Sequence, residues 1–250
     1  MKNTVCKLSS RQKAAVLSVA SDCVKQGKGK NETITAIIKK LYSLKVVKNS
    51  GDYNAALAVA ISFYSMIKAQ ADGKKPIDCL STYAAFKQAS ELHFSDFGAF
   101  GDFLETVLRC SCKPMNLITF ADLHVKRQSE TDIIIKGKKC EVGHNGKTFA
   151  NSNEYDCIGE KVDYIVYGVF DNDEKAALYK LAIDGEYNKL FDNVRAMLYV
   201  FPVDEFAAFM GEKGFKFKGE RWQVIYNSGR ARKFLEKVEE KETPTVNDIF

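Results

Sequence analysis

Apolar positions recur at three- and four-residue intervals along the first part of the chain, the period of one helix face. Ala14, Val16, Leu17, Ala20 and Val24 form such a stripe. It lies between Ser9 or Ser10, either of which can cap a helix start, and the break Gly27-Lys28-Gly29. The pattern predicts a helix over 9–26. A second opens at Asn31 and carries Ile34, Ile37, Ile38 and Leu41; a third runs from Asp52 to about Ala71 and stops at Asp72-Gly73. After Pro76 a helix is expected over about 79–92. The next runs from Ser95 or Asp96 to about Arg109, with Phe97, Phe100, Phe103, Leu104, Val107 and Leu108 on one face.

The period then shortens. Segments 117–124, 132–136 and 139–145 are strand-like, 151–159 suits a short helix, and 162–170 is an apolar strand with Ile165, Val166 and Tyr167 at its centre. Further strands are expected over 176–183, 196–201 and 221–226, and helices over 203–210 and 228–240. The order predicts an α/β protein with a mixed sheet flanked by helices. It divides into a basic helical N-terminal region (1–75), an α/β core with C-terminal additions (76–240) and a tail (241–250) in which Ile249 and Phe250 are candidates to dock.

Composition narrows the class. With 46% hydrophobic and 28% charged residues the chain is of ordinary globular type. No apolar run approaches the ~18 residues of a membrane span. No signal-type apolar core follows Met1–Lys7, so an intracellular protein without membrane contact is expected. Seven cysteines at irregular spacing argue against a disulfide framework. Cys110-Ser111-Cys112 with His124 has the makings of a zinc site, but no second pair stands at ligand spacing, and buried free thiols are the simpler reading.

Charge is unevenly placed. Residues 1–50 hold eleven lysines and arginines against two acids, Asp22 and Glu32, while the other 200 residues hold 26 basic and 30 acidic. A basic end on a slightly acidic protein points to a polyanion, most simply nucleic acid; a solvated helical face is the equal alternative. The link over 45–51 is long for a helix-turn-helix reader.

The candidate chemistry lies in Thr131-Asp132-Ile133-Ile134-Ile135-Lys136-Gly137-Lys138-Lys139-Cys140-Glu141-Val142-Gly143-His144-Asn145. It reads as two strands joined at Gly137. Pairing them can bring Asp132, which opens the first, beside Glu141, inside the second. Two carboxylates there suit a divalent ion, which neutralises a phosphodiester oxygen and acidifies a bound water. Mg²⁺ fits, because it takes few protein carboxylates and keeps waters and phosphate oxygens; Mn²⁺ is the alternative.

The order helix, strand, strand, strand, helix, strand over 97–170, with these two carboxylates, resembles the PD-(D/E)xK nuclease superfamily, which includes many restriction endonucleases. The resemblance implies a restriction-endonuclease-like core and Mg²⁺-dependent cleavage of DNA, by a restriction-type enzyme or one associated with a phage or mobile element. It adds the carbonyl of Val142 as a third metal ligand, and Glu105 on the preceding helix as a further site carboxylate. It also implies a lysine two residues after the glutamate, where this chain has Gly143.

Several groups are candidates to replace that lysine. Lys147 shares the strand face of Glu141 but lies ~20 Å along it, so it serves only if the chain folds back, at Gly146 for example. Asn145 is nearer and can orient water or meet nucleic acid, but brings no charge. Lys126 and Lys161 are others. Strand alternation puts His144 on the opposite face unless Gly143 marks a bulge. Near the C-terminus, Asn227-Ser228-Gly229-Arg230-Ala231-Arg232-Lys233 opens a helix with Arg230, Arg232 and Lys233 as phosphate partners. Cleaving both strands of DNA calls for two sites, so a homodimer is a further expectation. The rivals are a nuclease-fold protein that has lost its reaction and binds nucleic acid or protein, and an interaction protein with no metal. No nucleotide-binding glycine loop, Ser-His-Asp motif or hydride-cofactor fingerprint is present.

Overall fold

The first helix starts where its capping residues predict. In α1 (Ser10–Lys25) the Ser9 hydroxyl accepts the Gln12 amide at 3.3 Å, and the Gln12 side chain accepts the Ser9 amide at 2.8 Å. The structure is a computed structural model. It describes residues 7–47, 53–73, 94, 96–111, 132–135, 137–145, 163–202, 205–206, 217–218, 221–222, 236, 238 and 242–249. The helices and strands expected over 79–92, 117–124 and 151–159 lie outside them. No helix among them is long and apolar enough to cross a membrane.

The described residues fall into two compact units, one from Met1–Cys110 and Asp171–Phe191, the other from Asp122–Phe170 and Asp192–Phe250. The first is helical. After α1 come α2 (Lys30–Ser43), α3 (Tyr53–Asp72), α4 (Phe97–Ser111) and, later in the chain, α5 (Asn172–Asp184). From Ala56 to Ile67 every residue of α3 is buried, so this helix is the unit's centre rather than an amphipathic cover. Asp96 caps α4 by accepting the Ala99 amide at 2.9 Å, and its other oxygen accepts the Tyr64 hydroxyl at 2.9 Å. The Tyr179 ring on α5 meets those of Phe94, Phe100 and Phe103 at 5.4, 5.7 and 4.8 Å. A fully buried side chain of this size contributes about 1.5–3 kcal/mol.

Helix α5 replaces the strand expected over 176–183. Its buried residues, Ala176, Leu178, Tyr179, Ala182 and Ile183, recur at helical and not alternating intervals. Asp171 and Glu174 cap its start reciprocally, each accepting the other's amide at 2.8 Å, and Gly185 ends it with φ +71°. A further helix, α6 (Tyr187–Met197), follows on Tyr187, Leu190 and Val194, where none was expected.

The second unit carries a four-stranded mixed sheet, so the α/β class holds. Its strands are β1 (Ile133–Ile135), β2 (Lys138–His144), β3 (Tyr164–Gly168) and β4 (Tyr199–Pro202), adjacent in that order. β1 is antiparallel to β2, β2 parallel to β3, and β3 antiparallel to β4. Parallel neighbours require a crossover, which residues 145–163 provide. Ile165, Tyr167 and Phe201 are buried on one face, where Phe206 packs at 5.6 Å from Tyr167 and 5.2 Å from Phe201, ring to ring. A separate two-stranded ribbon pairs β5 (Phe217–Lys218) with β6 (Arg221–Trp222).

The closing segment does not hang free as a tail. The Val200 amide donates to the Pro244 carbonyl at 2.8 Å, and the Val246 amide to that of Leu198 at 2.9 Å. Thr245 bridges Tyr199, and Val246, at the start of α7 (Val246–Ile249), is fully buried. This covers backbone groups that β4 would otherwise expose.

Gly168 closes β3 at a tight backbone approach. A Cβ there would lie 2.8 Å from the Met197 carbonyl oxygen, 2.7 Å from the Phe170 ring and 2.9 Å from Leu198. A carbonyl cannot swing away as a side chain can. Gly168→Ala is therefore expected to cost about 2 kcal/mol, read as a lower urea midpoint at unchanged slope. A shift under ~0.5 kcal/mol would count against this packing.

Candidate metal centre

The β1–β2 hairpin sets the two carboxylates. Gly137 turns the chain at φ +81°, which glycine adopts without strain. The register pairs Ile133 with Cys140, Ile134 with Lys139 and Ile135 with Lys138. Carried one residue on, it places Asp132 opposite Glu141. Ile133 and Ile135 are buried and Ile134 exposed, so alternation puts Asp132 and Glu141 on the face of Ile134.

Asp132 does more than start a strand. Its Oδ2 accepts the backbone N–H of Val142 at 2.9 Å, which draws the carboxylate across the hairpin to the residue after Glu141. Both carboxylates are half-buried. They are hard oxygen donors, so the pair fits Mg²⁺ or Mn²⁺ in ligand chemistry. Among the described residues no group of three or more His, Cys, Asp or Glu side chains gathers around a metal-sized point.

Glu105 belongs to the helical unit. It is 8% exposed on α4, and its Oε2 pairs with Arg109 Nη2 one turn later at 3.2 Å.

Gly143 occupies a buried position. In the parallel register Glu141 neighbours Ile165 and Gly143 neighbours Tyr167, both fully buried and on the same face. Where the resemblance implies an ammonium, this chain sets a large aromatic beside a residue with no side chain. Burial pushes the Tyr167 phenol far above its ordinary value, so it stays protonated and supplies no base at neutral pH.

Asn145 has a different role from the water-orienting or nucleic-acid contact that strand alternation suggested. It is 1% exposed, with φ +48°. Its Oδ1 accepts the Phe170 amide at 2.7 Å, its Nδ2 donates to the Phe170 carbonyl, and its own amide donates to Gly168 O at 3.2 Å. The side chain thus continues the β2–β3 ladder past the end of both strands, with both polar ends of its amide engaged. His144 is buried on the other face of β2, as alternation requires.

Asp163 was not singled out from sequence, yet it pins the crossover. Its carboxylate accepts the Lys139 amide at 2.8 Å, and its amide donates to the Lys139 carbonyl at 2.8 Å. The available signal was an acid directly before an apolar strand. Lys147, Lys126, Lys161, Arg230, Arg232 and Lys233 lie outside the described residues, as do Cys112 and His124. Burial pushes the Cys110 thiol up to about 12, with Arg109 opposing the shift.

Comparison with family models, with curated proteins and with solved structures gives no match.

Proposed function

We propose that this chain is a metal-dependent endonuclease with a restriction-endonuclease-like core, hydrolysing DNA phosphodiester bonds in a restriction-type, phage or mobile-element setting. The observation that carries the reading is the Asp132 carboxylate held over β2 at Val142, beside Glu141. The parallel β2–β3 pair with its crossover also supports it, since a hairpin followed by such a unit is what the strand order of that superfamily calls for.

In this reading Asp132 and Glu141 hold Mg²⁺, with the Val142 carbonyl as a third ligand. When bound, the ion supplies charge neutralisation at a phosphate oxygen and a more acidic water. The Val142 amide orients Asp132, and Ile165 and Tyr167, buried on β3 on the same face as Glu141, pack beside the site and keep this part of the sheet rigid. Lys147, Arg230, Arg232 and Lys233 remain proposed phosphate partners, and Glu105 a candidate on the resemblance alone; Asn145 is left out because its amide is committed to Phe170. A homodimer would present two such sites to the two strands.

A second reading, a nuclease-fold protein that binds without cutting, is favoured by the buried Gly143 beside Tyr167. Purified protein offered linear, circular and single-stranded DNA, and RNA, with Mg²⁺ or Mn²⁺ decides between them. The expected result is DNA cleavage that stops with EDTA. Calorimetric metal binding with no turnover of any substrate would sink the enzyme reading in favour of the second.

A further inference from the structure

Two lysines of the basic N-terminal region are held in close ion pairs within the helical unit, and a third meets an acid at its surface. Lys13 is buried and meets Asp184 at 2.8 Å, Lys30 meets Asp102 at 3.0 Å and Lys7 meets Glu186 at 3.7 Å. The charge excess of the sequence is therefore only partly available to a partner. Part of what remains is gathered by the α1–α2 hairpin, apart from Lys25 and Lys28 at its link end. The short link over 26–29 returns α2 alongside α1, and Gln12 Nε2 donates to the Leu44 carbonyl at 3.5 Å. Arg11 of α1 is thereby brought to the end of the hairpin that carries Lys39, Lys40 and Lys45. Arg11, Lys39 and Lys45 are exposed and Lys40 half-exposed, and none has an acidic partner among the described residues. Asp22 and Glu32 sit toward the hairpin's other end.

Two further observations single out this end. Tyr42 is 38% exposed, one of two large apolar side chains among the described residues to stand so far out, and it lies one helical turn from Lys39. Lys45 has φ +56°, the left-handed position after a helix where glycine is usual, and a side chain there costs about 1 kcal/mol. The Val46 amide closes the cap on Leu41 O at 3.1 Å. An exposed aromatic among unpaired cations matches a strand of nucleic acid with accessible bases: cations meet phosphates and the ring takes a base face. An anionic membrane would instead favour an apolar stripe beside the cations, which α2 buries against its own unit.

We infer that Arg11, Lys39, Lys40, Tyr42 and Lys45 form a docking surface for single-stranded nucleic acid, such as an unpaired end or a frayed segment. The inference rests on the nucleic-acid reading above but not on the metal centre. The full-length chain is titrated in EDTA against a fluorescein-labelled single-stranded oligonucleotide, followed by anisotropy. The variant Arg11→Gln/Lys39→Gln/Lys40→Gln/Lys45→Gln is expected to bind at least about tenfold more weakly. Its slope of log affinity against log salt should be shallower by about 0.7 for each phosphate that the variant no longer neutralises. Tyr42→Ala is expected to lose about tenfold on the oligonucleotide and nothing on an abasic strand of equal length. Unchanged circular dichroism keeps both comparisons clean, since all five side chains are at least partly exposed. Unchanged binding by the quadruple variant overturns the surface, whatever the protein cleaves. Binding to phosphatidylserine vesicles in place of the oligonucleotide overturns it too. The expected losses in a protein that cuts nothing would leave this surface standing and remove the nuclease.

Discussion

Asn145→Ala is expected to destabilise the protein by about 3 kcal/mol, although position 145 is one residue beyond a strand and lies in a turn. Two costs add. The Phe170 amide and carbonyl lose their partner in the interior, and a buried unsatisfied polar group costs about 1–3 kcal/mol. The backbone at φ +48° also suits asparagine better than alanine, by several tenths to about 1 kcal/mol. Asn145→Gly separates them, because glycine takes the backbone conformation freely but still lacks the side-chain hydrogen bonds; it should fall short of alanine's cost by roughly the second amount. Urea unfolding followed by circular dichroism measures both. A cost under ~0.5 kcal/mol for Asn145→Ala would mean that the amide does not hold β2 to Phe170.

The second large effect falls on activity. Asp132→Ala or Glu141→Ala is expected to lower metal-dependent cleavage by about a hundredfold or more, since each removes charge from the proposed ligand set. The two positions should differ in stability. Asp132 also accepts the Val142 amide, so its alanine variant costs about 1 kcal/mol, whereas Asp132→Asn keeps an acceptor oxygen and removes only the charge. Cleavage lost in Asp132→Asn at a wild-type urea midpoint assigns the loss to chemistry. Undiminished cleavage by the Asp132→Ala/Glu141→Ala double variant would reject this site.

Much of the helical unit was legible because its information is local. The stripes of α1 and α2, the alanine-rich, mostly apolar α3 and the caps Ser9 and Asp96 depend on residues within a turn or two of one another. The hairpin was legible for the same reason: Gly137 turns it, and the register follows, which carried one residue on sets Asp132 opposite Glu141. Helix α5 was misread because a short apolar run fits either period; the deciding signal was the Asp171–Glu174 cap and Gly185, both local and both overlooked.

Other features depend on residues far apart in the chain. Lys13 looks like any surface lysine until the fold places Asp184 beside it, 171 residues away, and buries the pair. Strand alternation keeps Asn145 on the face of Glu141, but the turn at φ +48° ends the alternation and delivers its amide to Phe170. The parallel pairing that sets Gly143 against Tyr167 joins strands separated by the whole crossover, and no periodicity encodes it. By itself, then, the sequence determined helices α1 to α4 and the β1–β2 hairpin with Asp132 and Glu141 at its open end, because period and turn chemistry act over a few residues. The tertiary structure alone decided which charges are paired, which amide is a buried bracket and what stands beside Gly143, because burial and pairing depend on chain segments that only folding brings together.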